Sequence, residues 1–557
     1  MRYAKAIFPK TLIFIYHVKT MEFCARDNVL KLLDKRADGL SHGYRQNVAI
    51  LGEELIGKTS LIHSWLSRYH NNLIVAVYLE VKALEINLFS EQFIGRFLFA
   101  FLKNSQIPLQ EDIGFLMEHA QKYIPKTIAA AKEILSARKS KKAESVFTKL
   151  LELPELFFLE SGKRCIIIFD EFHQFDGLKP KGLYKEWRER IMFGKNTMYV
   201  LLSSKKLRAQ EILSSELALL FGNFEKIELA PFDAKASHTF VCEKLKDFPV
   251  STALIDFIVS LTAGKPFYLN AVATAFADYH TKNASVAPSI DTCTASLKNI
   301  LLDPWGIVNK HFSGVIDCVT KQLGNALCTT ILLELCLGMK RITHIAHTTG
   351  KTKKEAAVLL ERLCAMELVV KNSDHYCLID KFFSFWLQSV YAHQLHNFSA
   401  DSDKQTEIFR KEVKRLFLEF CDAQDKAISE RLMELFSRFS NEAVEIHHKR
   451  VRLNHFKEVK LLKINGKKLK EGILARAPSN LWIAGFKEER VSEEDIIDFV
   501  NACKRFKYAK SQKRIFIAFD DIDANARLIA KEAKIATWDM ACVNSLLDMY
   551  DRPRIVR

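Results

Sequence analysis

Two glycines five positions apart, followed at once by a lysine and a threonine, constrain this chain more than any other feature. Residues 52–59 read GEELIGKT, a G-x-x-x-x-G-K-T pattern, between a short apolar run at 47–51 and an amphipathic run with apolar residues at helical spacing. Strand, glycine turn and helix in that order form the setting in which such a loop wraps a polyphosphate. Main-chain N–H groups at a helix N-terminus must close on the phosphates, so Gly52 and Gly57 stand where a Cβ would obstruct the turn. The pattern assigns Lys58 to the β and γ phosphates of ATP and Thr59 to Mg²⁺, with Ser60 next to them in the nucleotide-binding set.

A second segment supplies what the first lacks. Residues 164–171, RCIIIFDE, place consecutive large apolar residues before two acids, which predicts a buried parallel strand with carboxylates at its C-terminal tip. Asp170 is expected to hold the hydration shell of Mg²⁺, and Glu171 to orient and deprotonate an attacking water. Further strands are expected at 73–81, 198–204 and 226–232, and several helices across 88–160. Five strands separated by helical stretches predict a doubly wound α/β fold with a mainly parallel sheet. The fourth strand ends in Ser203 and Ser204, and two readings stay open: Ser204 contacts the γ phosphate or the water, or the pair caps the following helix.

A chain of 557 residues is too long for one core and predicts about three to five domains. Lys and Arg outnumber Asp and Glu by 16, which favours an anionic partner beyond the nucleotide, with nucleic acid the leading candidate. The twelve cysteines contain no C-x-x-C pair, so neither a zinc site nor a disulfide framework is indicated and a cytoplasmic protein with reduced thiols is expected. The apolar run at 11–18 lies behind Arg2, Lys5 and Lys10 like a signal peptide, but it is too short to span a bilayer and no small-residue cleavage site follows. Residues 1–20 therefore read as an upstream extension, with no membrane partner expected.

At this point the chain resembles a known group. The loop GEELIGKTS, the acidic strand IIIFDE, the strand ending LLSS and the later SLTAGKPFYL are similar to the archaeal-type ATPase family, in the STAND branch of the AAA+-related ATPases. FCARDNVLKLL resembles that family's N-terminal signature, with Ala25 where glycine is usual, and Glu53 and Glu54 occupy a region that is arginine-rich in the family. The resemblance implies an ATPase core at 21–232 and a helical lid at 233–312, in which the turn Gly264-Lys265-Pro266 senses nucleotide. A proline-fixed turn, with Pro266 at a helix start, is the mechanical basis of that expectation.

Residues 313–395 read as helix, helix, glycine turn, helix and hairpin, the order of a winged helix-turn-helix. Lys351, Lys353, Lys354, His347 and Lys371 lie on or beside its third helix and could meet DNA, whereas winged helices also dock proteins; both partners stay open. YCLIDKFFSFWL resembles the family's segment after the wing, with Lys381 in place of proline. The resemblance further implies a restriction-endonuclease-like domain at 406–557. Its metal site needs an acid on one strand and Glu-x-Lys on the next. Here WIAGFKEERV carries Gly485 where the glutamate belongs and keeps Lys487, while the strand at 458–464 offers only Glu458 at its start, so nuclease activity is not expected. Lysines at 457, 460, 463, 467, 468 and 470, and a second basic group at 504–514 that includes Lys513, read either as a duplex-binding surface or as a solvated face. The function expected from all this is an ATP-binding and ATP-hydrolysing switch coupled to DNA, with a nucleotide-binding regulator that docks a protein as the alternative. The sequence leaves oligomeric state open, with Arg188, Arg190 and Arg208 as unranked candidates for an arginine finger.

Overall fold

The computed structural model describes residues 26–556 except 83–84, 137–142, 179–181, 219–223, 284–285, 325, 374, 397–401, 447–448, 479 and 507–510. The expected extension at 1–20 and the start of the N-terminal signature, including Ala25, lie outside the described residues. The chain divides into two units between Pro231 and Phe232.

The first unit is α/β, built on five parallel strands: β1 (Val48–Leu51), β2 (Ile74–Glu80), β3 (Arg164–Asp170), β4 (Thr197–Ser203) and β5 (Glu225–Glu228). Their order across the sheet is β2-β3-β4-β1-β5. β1 to β4 read as near-continuous apolar runs because helices cover both faces of the sheet, whereas the edge strand β5 reads EKIE and is only partly buried. Alternation then sorts the side chains. Ala49, Leu51, Val77, Ile167, Phe169 and Leu201 enter one core with Phe89, Phe93, Phe97 and Trp187. Val48, Ile50, Ile166, Ile168, Val200 and Leu202 enter the other, against Leu33 of the helix Asp27–Ser41 and Leu61 of the helix Lys58–Arg68. The last strand is shorter than 226–232: pairing with β1 ends at Leu51↔Glu228, and the Leu229 N–H then bonds to the Leu51 carbonyl at 2.7 Å as the chain turns away.

The second unit begins with five helices, Ala234–Lys244, Thr252–Thr262, Pro266–Lys282, Ile290–Leu301 and Ile307–Leu323. The last of these runs across the boundary expected at 312/313. Helices Leu327–Cys336, Ile342–Thr348 and Lys353–Ala365 follow, with β6 (Lys340–Arg341), β7 (Val369–Asn372) and β8 (His375–Leu378) in an antiparallel sheet of order β6-β8-β7. Thr352 and Glu355 close a capping box at the start of the third helix, and Lys351, Lys353 and Lys354 lie exposed there.

After the helices Ser402–Asp425 and Ile428–Ser437 comes a hairpin, β9 (Ala443–Ile446) and β10 (Lys449–Arg452), and then a five-stranded sheet of β11 (Glu458–Lys463), β12 (Glu471–Arg476), β13 (Leu481–Lys487), β14 (Gln512–Ala518) and β15 (Ala536–Asp539) in chain order. The first three strands pair antiparallel and the last three parallel. β12 therefore stands between the strand carrying Glu458 and the strand carrying Lys487, so Glu458 is no neighbour of the expected metal face. Position 485 is also closed to a carboxylate by packing, since a Cβ there would lie 2.8 Å from Phe499 and 3.0 Å from Phe516. Opposite Gly485 in register is Gly472, and Lys487 on the same face pairs with the buried Asp495 at 2.7 Å. Lys513 is not part of an open basic face: its ammonium sits over the Trp482 ring at 4.1 Å, and burial lowers it to about 8.

Candidate nucleotide site

The glycine loop leaves the C-terminal end of β1 and turns into the helix Lys58–Arg68. Both glycines are explained by the backbone: a Cβ on Gly52 would lie 2.8 Å from the Leu229 carbonyl, and Gly57 takes φ 90°. Lys58 opens the helix and is 4% exposed. Its ammonium donates to the Gly52 carbonyl at 2.9 Å and the Glu53 carbonyl at 2.8 Å, so it lies across the mouth of its own loop. Glu54 and Ser60 are exposed, and Glu54 is thus turned to solvent.

β4 separates β1 from β3, which sets the acids one strand away from the loop at the same edge of the sheet. The gap is the width a side-chain pair can bridge. Thr59 Oγ1 donates to Asp170 Oδ2 at 2.6 Å. The Tyr78 hydroxyl donates to the same oxygen at 2.8 Å, and the Glu171 N–H to Asp170 Oδ1 at 3.0 Å. Asp170 is 1% exposed, and among the described residues no cationic side chain forms an ion pair with it. A buried carboxylate held only by hydroxyl and amide donors, beside the Thr59 hydroxyl, is an all-oxygen donor set, the chemistry that hard divalent cations take. Burial and the Asp170 carboxylate push the Tyr78 phenol up, which keeps it a donor at neutral pH.

Glu171 has left the strand and takes φ 53°, a conformation uncommon outside glycine that redirects its side chain relative to Asp170. Its Oε2 accepts from both the N–H and the hydroxyl of Ser204, each at 2.8 Å, and lies 3.3 Å from His173 Nδ1. Burial raises the Glu171 carboxyl above its ordinary range, opposed by Ser204 and by Lys58. Gln174 sits 3.2 Å from His173 Nε2, and Nδ1 lies 2.9 Å from Ser203 Oγ. Burial lowers His173 to about 4, so the ring is neutral at neutral pH.

The structure thus brings Gly52, Gly57, Lys58, Thr59, Asp170, Glu171 and Ser204 to one edge of one sheet. Ser204 holds Glu171, and the following helix, Lys206–Glu211, has no side-chain cap, so the capping role read for the serine pair is not what the Ser204 hydroxyl does. Tyr78 and His173 escape sequence reasoning; the signals were a tyrosine in an otherwise aliphatic strand and a histidine two residues after the acidic pair. Arg208 is gripped by Asp176, Glu211 and Glu216, and Arg190 pairs with Glu152.

Pro266 belongs to the second unit, where it starts the helix Pro266–Lys282. The turn before it is wired into a chain of charges. The Lys265 ammonium pairs with Asp380 Oδ2 at 2.8 Å, and the Tyr268 hydroxyl donates to the same oxygen at 2.7 Å. Asp380 Oδ1 caps the next helix through the N–H groups of Phe382 and Phe383. Lys381 pairs with Asp548 at 2.9 Å; Arg554 Nε donates to the other Asp548 oxygen at 2.8 Å, and its own N–H to Ser260 Oγ at 3.2 Å. The neighbouring lysine holds Asp380 below the usual carboxylate range, and Arg554 and Lys381 do the same for Asp548.

Asp548→Asn leaves two half-buried cations facing a neutral amide, and we expect it to cost about 3 kcal/mol of stability at pH 7, read from denaturant unfolding. A carboxylate depressed in the folded state contributes fully above its unfolded pKa, and that contribution is lost as pH falls through about 4 towards the folded value. The gap between wild type and variant should therefore narrow on acidification below about pH 4.

No protein-family model matches the sequence, and no curated protein matches it. Among solved structures, the chain is similar to the Walker-type ATPase PABY2304 of Pyrococcus abyssi, at 17% identity and TM-score 0.45, over 65% of this chain and 95% of that one. It is also similar to the Aeropyrum pernix ORC2 protein in ADPNP-ADP complexes, at 12% identity and TM-score 0.43, over 73% and 98% of the two chains. A further likeness is to the Aeropyrum pernix ORC1 protein in complex with DNA, at 12% identity and TM-score 0.35, over 67% and 94%. The fold assignment rests on the strand order and register of the sheet. Among the described residues, no helix is long and apolar enough to cross a membrane.

Proposed function

We propose that this chain is an ATP-binding and ATP-hydrolysing switch whose nucleotide state governs its engagement of DNA. The observation that carries the reading is the convergence of Lys58, Thr59, Asp170 and Glu171 at one sheet edge. Backbone N–H groups of residues 52–59 and the Lys58 ammonium would hold the β and γ phosphates, displacing the contacts Lys58 makes to Gly52 and Glu53. Thr59 and Asp170 would hold Mg²⁺, which when bound neutralises charge on the phosphates. Glu171 would take the proton of the attacking water on Oε1, the oxygen that Ser204 does not hold, and burial, which raises its carboxyl, strengthens it as a base.

Downstream, the segment after Leu323 reads as a winged helix with exposed lysines at the start of its third helix, and residues 406–557 as a nuclease-like domain without the acids of a metal site. The charge chain from Lys265 through Asp380 and Lys381 to Asp548 links the turn at Pro266 to both modules, and would pass a change at that turn to them. The test is equilibrium binding of a labelled duplex to the full-length protein, with ATP analogue or ADP, across a salt series. We expect binding that weakens steeply with salt and differs between nucleotides by about tenfold, a typical allosteric coupling. Nucleotide binding without salt-dependent duplex binding would favour the alternative, a regulator that docks a protein partner through the winged helix.

A further inference from the structure

A cavity of about 610 Å³ lies between the β6-β8-β7 sheet and the β9–β10 hairpin, lined by Arg341, Arg450 and Arg452 together with His375, Ser373 and Asn441. Several arginines elsewhere meet carboxylates, Arg208 with Asp176, Arg415 with Glu412, Arg490 with Asp523 and Arg554 with Asp548, and others, such as Arg45 and Arg164, donate to main-chain carbonyls. In the cavity, Arg341 Nε donates to His375 Nε2 at 3.0 Å and its Nη2 to the Ser440 carbonyl at 3.4 Å, while Arg450 Nη2 reaches Ser373 Oγ at 3.4 Å. Among the described residues no carboxylate is within ion-pair distance of any of the three. Glu442, close in sequence, is buried and takes the Ser440 N–H at 2.7 Å; Glu445 stands opposite Arg450 in the hairpin register and tempers the field on that side.

Three guanidiniums around one cavity repel each other, and an anion seated among them reverses the sign of that interaction. The planar fork of guanidinium matches phosphate oxygens two at a time, and arginines with no ion-paired carboxylate among the described residues are suited to exploit that match. We propose that Arg341, Arg450 and Arg452 form a phosphate-binding pocket, distinct from the glycine loop. Arg341 comes from the three-stranded sheet and Arg450 and Arg452 from the hairpin, so one phosphate would clamp the two elements together. The shared chemistry has two sources, the backbone of a nucleic acid or a small phosphorylated molecule. The pocket does not rest on the DNA reading above.

The experiment uses full-length protein carrying Lys58→Ala, so that the glycine loop contributes nothing, with and without Arg450→Gln plus Arg452→Gln. Both arginines are exposed, and the double substitution should leave the melting temperature without ligand unchanged. Pyrophosphate should raise that melting temperature only when the arginines are present. A labelled duplex in a salt series should lose about tenfold in affinity on the double substitution, and the slope of log K against log salt should fall by about two. Loss of the pyrophosphate effect with duplex binding unchanged, or with no duplex binding in either protein, assigns the pocket to a small phosphorylated ligand, and the second of these also removes the DNA reading. An equal melting response of both proteins to pyrophosphate would overturn the pocket, whatever the duplex does.

Discussion

Lys58→Ala is expected to lower ATP turnover at least about a hundredfold and to weaken ATP binding with it, measured by phosphate release and by equilibrium titration. The size follows from removing a preorganised charge from a site where negative charge is concentrated, which typically costs 10²–10³ in rate. The ammonium is nearly fully buried, and it is held by two main-chain carbonyls of the same loop. The substitution would therefore remove both the proposed phosphate contact and a brace of the loop. Turnover and affinity indistinguishable from wild type would mean that the loop binds no triphosphate.

Glu171→Gln is expected to separate chemistry from binding, lowering turnover by about 10²–10⁴ while ATP affinity is retained. The amide keeps the shape and can still meet Ser204, but it takes no proton from water. A pH profile adds an independent reading. Burial raises the Glu171 carboxyl, so turnover should be lost on acidification through a pKa above that of a free glutamate, which is about 4.3. The Ser204 hydroxyl stabilises the ionised form, and Ser204→Ala should move the acid limb to higher pH, since one of two donors is removed. An acid limb that does not respond to Ser204→Ala would place the titrating group elsewhere.

The loop and the acidic strand were legible in sequence because their chemistry needs fixed residue types at short spacing. Gly52, Gly57, Lys58 and Thr59 lie within eight positions, and Asp170 and Glu171 end an unbroken apolar run. What closes the site depends on which strands are neighbours. Tyr78 reaches Asp170 because β2 pairs with β3 in the register Tyr78↔Ile168, and Ser204 reaches Glu171 because β4 lies beside β3. Neither pairing leaves a local mark in the sequence. The positive φ of Glu171 is likewise set by the structure around it rather than by residue type.

The C-terminal region was read less well for a related reason. β10, KRVR, has the composition of a solvated charge run and is a strand only through pairing with β9. β12, EGILAR, begins with a charge and a glycine, and β15 spans only Ala536–Asp539, so neither carries a strand signal of its own. Without β12 the strand of Glu458 and the strand of Lys487 read as neighbours, a pairing the sheet order rules out. The arginines of β10 were absent from the basic groups singled out in sequence because only the folded hairpin carries them to the cavity with Arg341.

The central claim is that a triphosphate and a divalent cation share the edge of the sheet formed by the glycine loop and Asp170. Equilibrium titration of ATP with and without Mg²⁺, on wild type and on Asp170→Asn, tests it most directly. Saturable one-to-one binding that Mg²⁺ strengthens in wild type, with that strengthening gone in the variant, is the predicted result. No saturable binding by wild type, or the same response to Mg²⁺ in both proteins, would contradict it.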